Sequence, residues 1–238
     1  LFIGNDTTIV PGDSVALNAS IIYFGNSTIG YSVDSILNLP VVHYDTNGTK
    51  IEITFDDMWS DTIPLPFDFQ FYNKNFSYIT VSSNGIISFD TSNANTSCPW
   101  SFDMPLPYLG LGGNSVFAVY CDMNMTDEGE IYSEVYGAFP NRAFIIKFDS
   151  VPMFSCATFY CEFQTVLYEA SNIIEVFVES KPLCSSWNNG GNSLLGIQDS
   201  AGVNAICPPH RNTSAWEAYN EAWRFTPYDT VYFEIKWY

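Results

Sequence analysis

The chain has 238 residues, of which 47% are hydrophobic and 17% aromatic, and its 26 acidic and 8 basic side chains give a formal charge of −18. This size allows one large all-β domain or two small ones with a sizeable core. The negative charge excludes nucleic acid as a partner, because phosphate would be repelled, and disfavours anionic lipid. The sequence has no apolar run of about 18 residues, so we expect no membrane insertion.

Strand patterns dominate the chain. Residues 13–17 predict an early strand, and Phe67, Phe69 and Phe71 alternate with other residues, so they should share one face of a strand. Further short β-rich runs are residues 116–120, 131–136, 143–148, 163–168 and 173–178. Their spacing predicts an all-β fold, either a β-sandwich or a jelly roll.

Two local signals concern a turn and a helix. Asn84-Gly85 separates two β-prone runs, which predicts a tight hairpin with positive φ at both turn residues. Residues 214–223 could form one short helix, with Ser214 as its N-cap and Glu217 at the third helical position.

The last strand pattern, residues 231–237, runs almost to the end of the chain. Its partner lies either inside the domain or in a neighbouring module or subunit. We therefore divide the chain into an N-terminal strand segment (1–25), a β-sandwich module (26–228) and a C-terminal strand (229–238). We expect the terminal strands to contact neighbouring modules or other copies of the chain.

The six cysteines suggest disulfides and an oxidising compartment, because their number is even and glycosylation motifs accompany them. They are Cys98, Cys121, Cys156, Cys161, Cys184 and Cys207. Six cysteines allow 15 pairings. Proximity in sequence favours Cys156–Cys161, Cys184–Cys207 and Cys98–Cys121, and the alternative is that some remain buried free thiols.

Two competing sets of glycosylation motifs run through the chain. The Asn-x-Ser/Thr triplets predict N-glycosylation at Asn5, Asn18, Asn26, Asn47, Asn75, Asn95, Asn124 and Asn212. The Asp-Ser/Thr-apolar triplets resemble the O-glycosylation motif of Bacteroidota and place glycans on Thr7, Ser14, Ser35, Thr62, Ser150, Ser200 and Thr230. Asp-Ser and Asp-Thr are also ordinary turn pairs, which is the alternative interpretation.

Motifs of the common enzyme classes are missing from the sequence. It has no Gly-x-Ser-x-Gly, His-Glu-x-x-His or Walker A motif, and its two histidines, His43 and His210, limit acid–base chemistry. A carboxylate pair for glycoside hydrolysis depends on three-dimensional distance and stays open. We predict a non-enzymatic protein.

Two segments are candidates for binding. Asp122, Asn124 and Asp127 resemble a calcium loop with altered spacing, so calcium is the one cofactor we consider. The alternative is a solvated acidic turn, and glycosylation of Asn124 would oppose coordination. Trp187, Asn188 and Asn189 precede two glycines and form a candidate ligand loop. The six tryptophans either stack on sugars, as in lectins, or pack in a β-sandwich core; they are Trp59, Trp100, Trp187, Trp216, Trp223 and Trp237.

Several segments resemble large cell-surface proteins of Bacteroidota, including gliding-motility-associated adhesins and other cargo of type IX secretion. The segment 61–72, the Ser82-Ser83-Asn84-Gly85 turn and the segment 220–227 carry this resemblance, which is loosely nidogen-like and covers about residues 30–238. Residues 1–20 resemble the opening strands of Ig-like or PKD-like repeats.

The resemblance implies a secreted or cell-surface location and a structural or adhesive role, as part of an adhesin or a filament, with no catalytic residues. A lectin-like, calcium-assisted domain that binds surface glycans is the alternative.

Overall fold

The computed structural model describes residues 19–23, 28–42, 48–126, 128–228 and 233–237, with the backbone alone for the first and last ranges. Strands make up 52% of the chain, so the all-β prediction is confirmed. Within the described ranges no helix is long and apolar enough to cross a membrane.

The described strands are β1 (Ala19–Tyr23), β2 (Gly30–Ile36), β3 (Thr49–Lys50), β4 (Ile63–Phe71), β5 (Lys74–Val81), β6 (Ile86–Ser88), β7 (Ser115–Tyr120), β8 (Glu130–Tyr136), β9 (Ala143–Met153), β10 (Cys156–Tyr168), β11 (Ile174–Lys181), β12 (Asn192–Gln198), β13 (Ala205–Ile206), β14 (Ser214–Ala215), β15 (Ala218–Tyr228) and β16 (Phe233–Trp237).

Two antiparallel sheets form the sandwich. Sheet I has the order β2-β15-β11-β10-β9-β8-β3, and sheet II has the order β13-β12-β7-β6-β5-β4, with β14 paired to β12. Their strands alternate as the sequence predicted, since Phe67, Phe69 and Phe71 on β4 are all buried. They belong to the main core, which draws apolar side chains from both sheets.

A second apolar cluster covers the opposite face of sheet II. Phe117 and Tyr120 of β7 pack there against Cys98, Phe102 and other side chains of the long segment 98–111. Two side-chain amides hold this segment in place. Gln198 binds the backbone N–H and carbonyl of Tyr108, and Asn212 does the same at Leu106. The segment is therefore built into the fold, although it contains no strand.

The predicted hairpin at Asn84-Gly85 exists, but the backbone conformation of its turn differs from the prediction. β5 and β6 pair across it, and Gly85 has a φ of 83°. Asn84 is not among the residues with positive φ, so the expectation of two left-handed residues was wrong. Ser82 organises the turn instead, because its hydroxyl accepts the N–H groups of Asn84 and Ile86.

The predicted cysteine pairings were wrong. All six cysteines lie in the described part of the chain. The structure joins Cys156 to Cys184, while Cys98, Cys121, Cys161 and Cys207 are free thiols there. Cys156 lies near the sandwich surface beside Ser186, whereas Cys161 on the same strand points into the core. Proximity in sequence did not predict the pairing, because Cys156 and Cys161 lie on one strand but face different surroundings.

The predicted helix at 214–223 is also wrong, because these residues form β14 and most of β15. Asn220 has a φ of 54°, which interrupts the alternation of β15. Ala218 accordingly packs in the core between the sheets and Ala222 on the opposite face of sheet I. The resulting apolar spacing imitates a helix.

β1 and β16 form a two-stranded antiparallel sheet in which Ile21 lies opposite Ile235. Among the described strands, neither pairs with sheet I or sheet II. The predicted C-terminal strand thus pairs inside the chain, with residues 19–23. The proposed strand at 13–17 lies outside the described residues, and the three-part division of the chain stays a prediction.

Candidate functional site

The predicted ligand loop, residues 187–192, connects β11 to β12 in a strained conformation. Asn188, Asn189, Gly190 and Gly191 have φ values of 44°, 52°, 88° and 96°. Asn and Gly adopt this region most readily, so the composition of the loop explains its shape. A Cβ on Gly191 would lie 2.4 Å from Leu183 and 3.0 Å from the carbonyl of the disulfide-bonded Cys184. Gly191 therefore packs closely against Leu183 and Cys184, and the disulfide of Cys184 fixes this segment to β10.

Asp122, predicted as a metal ligand, lies under this loop. Trp187 donates its indole N–H to Oδ2 of Asp122 over 2.5 Å. Asp122 is only 4% exposed, and its Oδ1 has no hydrogen-bond partner among the residues that the structure describes. Burial is the main cause that raises the pKa of Asp122 to about 7, and Asp57 raises it further, while the bond from Trp187 opposes the shift.

Three exposed aromatic side chains lie at the loop, one of them its own Trp187. Trp187, Trp100 and Phe154 are 36%, 47% and 45% exposed. The rings of Phe154 and Trp187 lie 5.5 Å apart, and the side chain of Asn188 donates to the carbonyl of Trp100. An open pocket of about 410 Å³ is lined by Ser101, Ser186, Trp187, Asn188, Asn189 and Gly190.

The pocket combines the ring of Trp187 with hydroxyl and amide groups. Aromatic rings supply contact area with few rotatable bonds, and amides both donate and accept hydrogen bonds. Such a surface suits a ligand that has an apolar face and hydroxyl groups, for example a sugar ring, or an exposed segment of another protein.

Asn84 positions the base of this site, a role that the sequence analysis missed. The side chain is fully buried; its Nδ2 donates to Asp57 Oδ1 and to the carbonyl of Pro99, and its Oδ1 accepts the N–H of Met123. Asn84 thus ties the hairpin to the residue after Asp122. The Ser82-Ser83-Asn84-Gly85 pattern was the sequence signal for this position. Turn statistics relate Asn at a hairpin turn to its φ angle and do not predict hydrogen bonds from its side chain.

Asn124 of the proposed calcium loop forms hydrogen bonds within its own turn. Oδ1 of Asn124 accepts the backbone N–H and the hydroxyl of Thr126 at 2.9 and 2.6 Å, a local turn. Asp127 lies outside the described residues. Across the described ranges, no group of three or more His, Cys, Asp or Glu side chains is arranged to hold a metal ion. Calcium binding stays a prediction.

The glycosylation candidates occupy different surroundings. Ser35, Thr62, Ser150, Asn75 and Asn95 are exposed. Ser200 is half-buried and accepts a hydrogen bond from Lys74, and Asn124 and Asn212 are half-buried and hydrogen-bonded. The other candidates lie outside the residues whose side chains the structure describes: Thr7, Ser14, Thr230, Asn5, Asn18, Asn26 and Asn47.

The comparisons with known proteins yield one match. The model of the family described as NIDO related matches residues 39–227, which span the strands from β3 to most of β15 and include the candidate site. No curated protein and no solved structure matches the chain.

Proposed function

Because the chain belongs to the NIDO-related domain family, we propose that it is a non-enzymatic extracellular module with an adhesive role in a cell-surface adhesin or filament. NIDO-related domains are typically extracellular. The disulfide between Cys156 and Cys184 supports an oxidising compartment. The formal charge of −18 favours a soluble, well-hydrated surface.

The observation that carries the adhesive role is the fixed orientation of Trp187. Its N–H is bound by the buried Asp122, so the ring stays partly exposed beside Trp100 and Phe154 in one arrangement. Clustered, preorganised aromatics contribute most of the binding energy at many protein interfaces. We therefore place the contact with the adhesion target at this cluster.

Adhesion is tested with beads that carry the secreted chain, compared with beads that carry Trp187→Ala. The control is Phe139→Ala, which removes another exposed aromatic side chain, on the turn between β8 and β9. Loss of attachment in the first variant and not in the second supports the proposal.

Carbohydrate binding is the second candidate, because the same pocket places the ring of Trp187 next to the side-chain amides of Asn188 and Asn189. A glycan array with the wild-type chain and with Trp187→Ala tests it. Selective binding of one sugar class that Trp187→Ala abolishes favours a lectin, whereas an adhesion module for proteins shows no sugar preference. Repeating the array with a chelator tests assistance by calcium.

The proposed lack of enzymatic activity is tested with a panel of polysaccharides. Turnover that disappears in single carboxylate variants would contradict it.

Glycosylation completes the proposal. The exposed Ser35, Thr62 and Ser150 are the strongest O-glycan candidates, and the exposed Asn75 and Asn95 are the competing N-glycan candidates. Glycopeptide mass spectrometry of native material separates the two. Glycans on the Asp-Ser/Thr motifs would support an origin among Bacteroidota-type surface proteins, and glycans on the Asn motifs would oppose it.

Assembly through the terminal strands is proposed for the filament role. β1 and β16 form a two-stranded ribbon, so each strand has one edge that the other does not occupy. Strand addition to such edges builds many extracellular assemblies. Electron microscopy of the purified chain tests this proposal, because strand addition predicts fibres or chains of particles, whereas single particles of uniform size would contradict it.

A further inference from the structure

The two faces of sheet II divide the unpaired cysteines into two sets. Cys98 and Cys207 belong to the cluster on the outer face, where Cys98 contacts Ser83 and Asn84. Cys121 and Cys161 belong to the core between the sheets. Because neighbouring residues of a strand point to opposite faces, Cys121 faces the core while Tyr120 faces Cys98. The fold therefore leaves Cys161 as the partner of Cys121.

The two core thiols are in contact. Cys121 is 1% exposed, Cys161 is fully buried, and their sulfur atoms are 4.0 Å apart. A disulfide has an S–S distance of about 2.05 Å, so the sulfurs must approach by about 2 Å. Rotation of the two side chains about their Cα–Cβ bonds moves the sulfurs without moving the strands.

The backbone geometry also permits a bond. Packed sheets are usually about 10 Å apart, which is too far for a disulfide with a Cα–Cα distance of about 4.4–6.8 Å. β7, which ends just before Cys121, and β10, which contains Cys161, have Cα atoms within 8 Å of each other. These two strands therefore approach each other more closely than packed sheets usually do.

We propose that Cys121 and Cys161 form a second disulfide, which joins sheet I to sheet II through the core. Cys156, five positions before Cys161 on β10, is already bonded to Cys184, so one compartment would oxidise both pairs. The new bond closes a loop of 40 residues between the two sheets.

The reaction is a thiol–disulfide exchange with an external disulfide, either a small molecule or an oxidoreductase. The thiolate of one cysteine attacks a sulfur of the oxidant and releases one oxidant thiol. The second cysteine gives up its proton and attacks the mixed disulfide, which forms the Cys121–Cys161 bond and releases the second thiol. The chain loses two electrons and two protons, and the oxidant disulfide gains them. Both sulfurs are buried in the folded chain, so the exchange takes place before the sheets close.

The test is a peptide map of the full chain after secretion into an oxidising compartment. The protein is unfolded with iodoacetamide and without reductant, digested, and analysed by mass spectrometry. We expect a cross-linked peptide pair that contains Cys121 and Cys161. Alkylated Cys121, or Cys121 linked to any other cysteine, overturns the proposal.

A second measurement gives a readout of stability. The double variant Cys156→Ser/Cys184→Ser removes the disulfide that the structure contains, so any effect of reductant on its melting temperature comes from the proposed bond, and reductant should lower that temperature. The matched control adds Cys161→Ala, and its melting temperature should not respond to reductant. Equal responses would contradict the proposal. If the double variant fails to fold, the peptide map of the wild-type chain decides alone.

Discussion

Trp187 donates its indole N–H to Asp122, and this one hydrogen bond joins two segments 65 residues apart. The sequence predicts two separate candidates there, a metal loop and a ligand loop. In the structure they form one site, in which a buried carboxyl fixes the direction of an exposed ring.

The first prediction concerns pH and Asp122. Its pKa rises from an ordinary value of 3.8 to about 7, so between these values the folded chain binds the proton more tightly than the unfolded chain. Stability from this group is therefore complete below pH 3.8 and is lost as the pH rises through 7. Asp122→Asn removes this loss, so its free energy of unfolding, relative to wild type, should increase between pH 5 and pH 8.

Urea denaturation at both pH values measures this effect. Asp34→Asn removes the same charge from an exposed position and controls for net charge. A stability difference between Asp122→Asn and wild type that is equal at the two pH values would contradict the shifted pKa.

The second prediction separates backbone conformation from crowding at two glycines. Gly85 and Gly190 have nearly equal φ values, 83° and 88°. A Cβ on Gly85 would lie 2.3 Å from the carbonyl oxygen of Val119, whereas a Cβ on Gly190 meets nothing within 4 Å. Gly190→Ala should cost about 1 kcal/mol from φ alone, and Gly85→Ala about 3 kcal/mol or more. Equal losses in chemical denaturation would show that the hairpin moves away from Val119.

The third prediction concerns Asn84. Asn84→Ala removes three hydrogen bonds, one buried and two partly buried, and leaves the carbonyl of Pro99 and the N–H of Met123 without this partner. We expect a loss of about 2–4 kcal/mol, since each unsatisfied buried polar group costs about 1–3 kcal/mol. Asn141→Ala, at an exposed turn, should change the stability by less than about 0.5 kcal/mol. Similar melting temperatures for the two variants would refute a structural role of Asn84.

The features that could be predicted from the sequence are local. The alternation of Phe67, Phe69 and Phe71 follows from the side-chain period of a strand, and the position of the β5–β6 hairpin follows from the Asn84-Gly85 pair; both are present, although Asn84 does not have the predicted positive φ. The Cys156–Cys184 bond could not be predicted, because it depends on how β10 and the segment after β11 meet in space. The prediction of a helix at 214–223 was wrong because the positive φ of Asn220 alters the spacing of the apolar residues along the strand. The buried role of Asn84 depends on three loops that are distant in sequence.

The fourth prediction concerns the terminal ribbon. β1 and β16 pair with each other and, among the described strands, with neither sheet of the sandwich. Deletion of residues 229–238 should therefore leave the melting temperature of the sandwich within a few degrees of wild type but abolish association of the chain. Light scattering and calorimetry measure the two effects. A deleted chain that still associates like wild type would contradict assembly through this ribbon.

The attachment assay with immobilised surfaces tests the adhesive role most directly. Beads with the wild-type chain, Trp187→Ala or Phe139→Ala are placed under flow on cellulose, chitin, mucin, collagen and bare glass, and the retained fraction is counted. We predict that wild-type and Phe139→Ala beads are retained on at least one surface and that Trp187→Ala lowers the retained fraction at least tenfold. Retention of Trp187→Ala beads equal to wild type, or no retention of wild-type beads above uncoated beads on any surface, would contradict an adhesion module that binds through Trp187.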